Sequence, residues 1–410
     1  MRIKRSMGVS RPEIRPGLEA EVRAILDEVN VEGDEAVRRF SRRFDGADVG
    51  ELRVAREEVE AAAGRVDPAV LAGLRTAIAN VRALVQAQLR EPVAVELEQG
   101  QHIEVAELPV RRAAIYVPGG RAPYPSTVVM GAVTARAAGV DEVVVCTPPG
   151  PDGGVNAVIL AACALCEVDG VYRMGGAQAI GALAYGTGSV EAVDVIAGPG
   201  NTWVQQAKKQ VAWTEVGIDG IAGPSELFVI ADGDDLDPEP IGLDLLAQAE
   251  HGPDSLLWLL SPDEQLREGV IAAIERMRPE RPSVTDAVLQ VVHMGGPPAV
   301  DVANGVAPEH LELVGERAET LAPLVRFAGC LFVGAGAATA FGDYVAGSNH
   351  VLPTGGAARF QSALSAATFR RRMARVSLPG QAPARLAPAG AALARAEGFP
   401  VHAESMERRA

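Results

Sequence analysis

The sequence predicts an α/β protein: two incomplete Rossmann-like parallel-sheet domains with a helical N-terminal layer and a small helical C-terminal tail domain. Three observations lead there. The opening third carries apolar residues only at helical spacing. From residue 112 short β-branched runs alternate with helical stretches, and a second alternating set begins at 227. Strands separated by helices build a parallel sheet covered on both faces.

In chain order, 18–29 and 34–44 read as helices divided by Gly33, and 55–64 and 68–90 continue the helical layer. AAIYV (113–117), EVVVC (142–146) and VDVIA (193–197) are strands, with helices over 126–138, 155–166 and 177–186. LFVIA (227–231), LLWLL (256–260), VLQVV (288–292) and CLFVG (330–334) are the second set, with helices over 241–250, 264–277 and 309–314. The Gly/Pro-rich joins VPGG (117–120) and AGPSE (222–226) mark seams. Beyond 365 the chain turns Arg- and Ala-rich, with breakers at Pro379, Pro383 and Pro388, and reads as a helical tail.

The 410 residues suffice for at least two cores, and the formal charge of −15 argues against nucleic acid as a partner. Only Lys4, Lys208 and Lys209 are lysines. Cys163 and Cys166 form a lone CxxC in an apolar helix; with no second pair to complete a zinc site, two small core residues are the better reading. The N-terminus has no apolar stretch of signal-peptide length, and no run of about 18 apolar residues occurs, so the expected location is the cytoplasm, with no membrane partner.

Four polar constellations could carry chemistry. In LDLLAQAEHGPD (243–254), Gln248 and His251 share a helix face, with His251 the last helical residue before Gly252-Pro253; a metal pair and a C-capping His are both open. In APEHLEL (307–313), Pro308 suits a first helical turn. That would set Glu309 and His310 at a positive dipole end, keeping Glu309 ionised and His310 neutral and able to accept a proton. FGDYVAGSNHVLPT (341–354) gathers Asp343, Ser348, Asn349 and His350 in a Gly-rich loop, with Asp343 a candidate hard ligand and His350 a brace. AEGFPVHAE (396–404), with Glu397 and His402, reads by itself as a solvated segment. His102 receives no role, and His293 reads as a strand-end residue.

No Walker A sequence is present, and GAGAAT (334–339) lacks the acidic residue about 20 positions on that a dinucleotide fingerprint carries, so it reads as a tight loop. VPGGRAPYP, MGGAQAIGALAYG and AGPGNTWVQQAKK are better placed to offer backbone N–H groups to phosphate.

Strung together, IYVPGG, GGAQAI, GPGN, GPSE, QAEHGPD, PEHLEL and GDYVAGSNHVLPT resemble the histidinol dehydrogenase family in order and spacing, from about residue 18 to the end. The resemblance implies a cytoplasmic homodimer with shared sites that oxidises L-histidinol through L-histidinal to L-histidine, using Zn2+ and NAD. It implies Gln248, His251, Asp343 and, from the partner subunit, His402 as zinc ligands, and His310 as general base. It implies Glu309 as the residue that activates water, Ser225 and Glu397 as substrate contacts, and Tyr116, Gln178 and Asn201 as NAD contacts. Substrate contact is implied for the four zinc ligands and His310 as well.

The implied domains are 1–111 packing with 223–364, an NAD-contacting 112–222, a catalytic 223–364, and a tail 365–410 reaching the partner's site. The arm before the first helix is about a dozen residues shorter than the family pattern, which bears on how one subunit embraces the other. A same-fold dehydrogenase of another small polar alcohol, such as a sulfonated diol, shares the base and metal. Glu397, matched to a substrate ammonium, separates it from the histidinol reading. A non-catalytic relative should have lost some of Gln248, His251, Glu309, His310 or Asp343, and all are present.

Overall fold

The computed structural model describes residues 1–5, 15–119 and 122–410. Gly120 and Arg121, in the first of the three glycine-rich turns, lie outside them. The chain forms two compact units, 1–87 with 111–369, and 88–110 with 370–410.

The first unit contains two parallel sheets. One has five strands in the order Gly170–Arg173, Glu142–Thr147, Arg112–Tyr116, Val195–Ala197 and Gly217–Ile218. The other has six, in the order Arg2–Lys4, Val288–His293, Leu256–Ser261, Glu226–Ala231, His310–Val314 and Cys330–Val333. Central strands such as Glu226–Ala231 are buried along their whole length, hence their nearly continuous apolar composition. Helices cover both faces, and several carry local start signals. Asn201 caps Thr202–Val211, Asp237 followed by Pro238 opens Pro238–Ala249, and Asp263 caps Glu264–Met277.

The first two helices of the N-terminal layer pack on the other sheet from the one expected, while Asn80, further along the layer, donates to the Val345 carbonyl at 2.8 Å. Leu18, Val22, Ile25, Leu26 and Val29 of the helix Leu18–Glu32, with Val37 and Phe40 of Asp34–Phe40, share a core with Ala114, Tyr116, Val144 and Ile196 of the five-stranded sheet, not with 223–364. Only the strand Arg2–Lys4 joins the six-stranded sheet. The helix Pro68–Gln88 is long and apolar enough by composition to cross a membrane. Its buried residues, Leu74, Ala77, Ile78, Val81 and Val85, form one stripe at helical spacing, the pattern of an amphipathic helix on a protein core.

The second unit corrects the reading of a purely helical tail. Arg370–Ser377 is a strand, antiparallel to His102–Pro109, which pairs in turn with Val93–Glu96. The helices Ala382–Ala396 and Pro400–Glu407 complete the unit. RRRMARVS is exposed almost throughout, so it shows none of the apolar alternation by which a strand is recognised.

Candidate active site

The six-stranded sheet supplies a polar cluster at the amino ends of two adjacent strands. Glu226 and His310 are the first residues of Glu226–Ala231 and His310–Val314, and His310 lies in register with Leu227. The expected helix over 309–314 is therefore a fully buried central strand, so the dipole of that helix does not act on His310. Pro308 follows a helix that ends at Ala307, a residue in left-handed conformation. The run HLELV has period two, with Leu311 and Leu313 in the apolar core on one face. His310 and Glu312 face the other way.

Backbone and side-chain hydrogen bonds fix the cluster. The Nδ1–H of His310 donates to the Glu226 carbonyl at 3.0 Å. A carbonyl can only accept, so Nε2 is the basic atom of the neutral ring. Nε2 is buried, makes no hydrogen bond and lies 3.6 Å from Oδ1 of Asp343. Glu309 Oε2 accepts from the Ser225 hydroxyl at 2.5 Å and from Glu226 N–H at 2.9 Å. The Glu226 carboxylate accepts from Glu309 N–H and Gly355 N–H, both at 3.1 Å. Gln248 Nε2 donates to Ser225 Oγ, which leaves Oε1 as the donor atom available to a cation.

Electrostatics also departs from the dipole expectation. Burial by itself lowers the basicity of His310, but the Glu309 and Asp343 carboxylates and the Glu226 carbonyl outweigh it and raise the imidazole to about 9. Asp343 responds in the opposite sense. Burial pushes it up, but His310, with His350 and His251 close enough to act on it, holds it below the usual carboxylate range. These carboxylates favour the protonated ring, the reverse of the dipole expectation.

Asp343 sits on a short helix, Thr339–Tyr344, and not in an open loop. His350 braces it, as its Nδ1 meets the Asp343 carbonyl at 2.8 Å and its Nε2 the Thr127 hydroxyl at 3.4 Å. His251 lies two residues beyond the helix Pro238–Ala249 and is exposed, so it is a loop residue. Among the described residues no three His, Cys, Asp or Glu side chains converge as a metal site. The candidate set has only two of these types in the first unit, His251 and Asp343, with the Gln248 amide beside them. Amide oxygen, imidazole and carboxylate form a mixed O/N set that suits a borderline divalent cation with positions left for substrate. Glu397 ends the helix Ala382–Ala396 in the second unit, and His402 packs against Phe399 there with ring centroids 5.4 Å apart.

The other sheet places its glycine turns at the carboxyl ends of its strands, where α/β folds hold nucleotides. They border a cavity of about 1000 Å³ lined by Tyr116, Gln178 and Asn201, among others. The Tyr116 hydroxyl accepts from Gly176 N–H at 3.1 Å, fixing the start of the helix Gly176–Tyr185. Asn201 caps the next helix through Trp203 N–H and Val204 N–H, both at 3.1 Å. Gln178 is 1% exposed, and neither its Oε1 nor its Nε2 has a hydrogen-bond partner. Such an amide calls for a polar partner from outside the protein. Two helix N-termini and an orphaned amide on one large cavity fit a dinucleotide.

Sequence reasoning missed three acids. Glu226 was quoted within GPSE but received no role. Glu312 is buried behind His310, accepts from Thr339 N–H at 3.0 Å, and is driven by burial, with Asp244 adding to it, up to about 8. Asp45 reaches the cavity lined by Tyr116, Gln178 and Asn201 from the N-terminal layer. Only the paired spacing of Glu312 with His310 offered a local signal. Cys163 and Cys166 are buried, as expected of core residues.

The histidinol dehydrogenase family model matches residues 10–410. A histidinol dehydrogenase of Parasynechococcus marenigrum is 43% identical over 96% of this chain and 91% of its own length. One of Rhizobium meliloti is 41% identical over 98% and 94%. The crystal structure of histidinol dehydrogenase from Elizabethkingia anophelis superposes with a TM-score of 0.91 at 32% identity, covering 98% of this chain and 93% of that one. With the same fold and a family match along almost its full length, the chain belongs to the histidinol dehydrogenase family.

Proposed function

We propose that the protein oxidises L-histidinol to L-histidine through L-histidinal, in two hydride transfers to NAD with one water consumed. The observation that carries the reading is the pairing of an unsatisfied His310 Nε2 with the doubly anchored Glu309 beside the Gln248–His251–Asp343 donors.

Gln248, His251 and Asp343, with His402 of the partner subunit, would hold zinc, whose charge would favour binding of the substrate nitrogens and, by offsetting that of Asp343, the free base of His310. Nε2 of His310 takes the hydroxyl proton as hydride leaves the adjoining carbon, giving the aldehyde. Glu309 then orients and deprotonates water for attack on that aldehyde. Its Oε2 is held by Ser225 and Glu226, and Oε1 remains to accept from the water. His310 serves again in the second hydride step, from the hydrated aldehyde to the acid. Glu397 pairs with the substrate ammonium. Retention of the aldehyde between steps keeps a reactive amino aldehyde from solution. Tyr116, Gln178 and Asn201 would hold NAD.

The test is the yield of NADH per histidinol in metal-free and zinc-restored protein. Two NADH per substrate after zinc addition, and next to none before it, is the expected result. One NADH, or full activity without metal, refutes the reading.

A further inference from the structure

The cofactor cavity contains a carboxylate that nothing above uses. Asp45 ends a π-type turn, Ser41–Asp45, stopped by Gly46 in left-handed conformation. Such turns are frequent at functional positions. Asp45 lines the same cavity as Tyr116, Gln178 and Asn201, and its charge reaches Tyr116. Its Oδ2 is enclosed and makes no hydrogen bond. Burial pushes the carboxyl up to about 6, and the Ser41 hydroxyl offsets that only in part. Among the described residues no cation pairs with it. The rings beside it carry guanidinium groups on them, Arg43 over Phe44 at 5.1 Å and Arg15 over Trp203 at 5.4 Å.

A desolvated acceptor with no protein cation calls for donors from the ligand. The unpartnered amide of Gln178 on the same cavity independently points to a polar ligand there. Phe44 and Trp203, 6.2 Å apart, line the wall next to Asp45 and give a flat base an apolar surface. That places the adenosine end of a dinucleotide, and its ribose diol, beside the carboxylate. In ordinary dinucleotide folds an acid on the second strand accepts the ribose hydroxyls. Here a residue from the helical layer stands in for it.

We infer that Asp45 accepts hydrogen bonds from the adenosine ribose hydroxyls of NAD and, by repelling a 2′-phosphate, selects NAD over NADP. The inference rests on the NAD reading above.

The test is calorimetric titration of the full-length protein with NAD, NADP and NAD lacking the adenosine 2′-hydroxyl, alongside Asp45→Asn and Asp45→Ser. In the wild type, 2′-deoxy-NAD and NADP should bind at least about 10-fold more weakly than NAD. Both variants should lose about 10-fold in NAD affinity, bind NADP no more weakly than the wild type does, and so lose most of the preference. Variants that melt like the wild type and keep its NAD:NADP ratio overturn the inference and leave the cofactor reading intact. So does equal wild-type affinity for NAD and its 2′-deoxy analogue, which needs no variant. A wild-type protein that binds no NAD overturns both.

Discussion

The carbonyl of Glu226 accepts the Nδ1–H of His310 at 3.0 Å, and this one bond selects the tautomer whose Nε2 faces Asp343. A neighbouring strand therefore sets which nitrogen can act as a base. His310→Asn removes that nitrogen. Turnover should fall about 10²–10⁴-fold in both the alcohol and the aldehyde half-reaction, with zinc content unchanged. Near-normal turnover in either half-reaction would take His310 out of the base role.

Glu309→Gln should hurt the aldehyde step most, since the amide cannot take a proton from water while the alcohol step asks nothing of it. Single-turnover assays started from histidinol and from histidinal separate the two. Equal losses would count against a water-activating carboxylate.

Glu226 is a brace whose removal should be felt twice. Its carboxylate accepts two backbone N–H groups, from Glu309 and Gly355. In Glu226→Ala each donor left bare costs about 1–3 kcal/mol, read from the denaturant midpoint. Turnover should fall as well, because Glu309 loses its anchor. A variant as stable as the wild type would show these bonds to be replaceable.

Glu312 makes stability depend on pH. The folded protein holds the Glu312 proton up to about 8, against 4.5 for an ordinary Glu. Between those values the folded state binds more protons than the unfolded chain, so stability falls as pH rises through that window. The nearby Asp244, pushed by burial to about 6, acts in the same direction. Glu312→Gln keeps an acceptor for Thr339 N–H but cannot ionise. Its stability relative to the wild type should improve by about 1–4 kcal/mol from pH ~5 to pH ~8. Parallel pH profiles of the two melting curves would dismiss the effect.

Mixing His402→Ala subunits with His310→Asn subunits should restore activity if each site draws on both chains. Random re-association leaves one intact site in half of the dimers, or about a quarter of wild-type activity. No recovery at any mixing ratio would assign the whole site to one chain.

The strands of both sheets were legible where β-branched runs are buried on two faces, as in 142–147 and 226–231. His310–Val314 was not, because Pro308 resembles a helix start and five residues cannot outvote it; only the neighbouring strands decide. That error carried the protonation of His310 with it. Local readings put Asp343 and His251 on the wrong elements, a loop for the first and a helix end for the second. Asp45 was invisible because its partners come from 70 to 160 positions away, across a fold no local pattern encodes.

The strand His102–Pro109 pairs along its full length with Arg370–Ser377, residues made some 260 positions later. During synthesis on the ribosome, the hairpin 93–109 emerges early and waits with one edge open until nearly the whole polypeptide has been translated. Pairing over so long a loop is slow. The helices bearing Glu397 and His402, which follow that last strand, are therefore the last part of the chain to find their place.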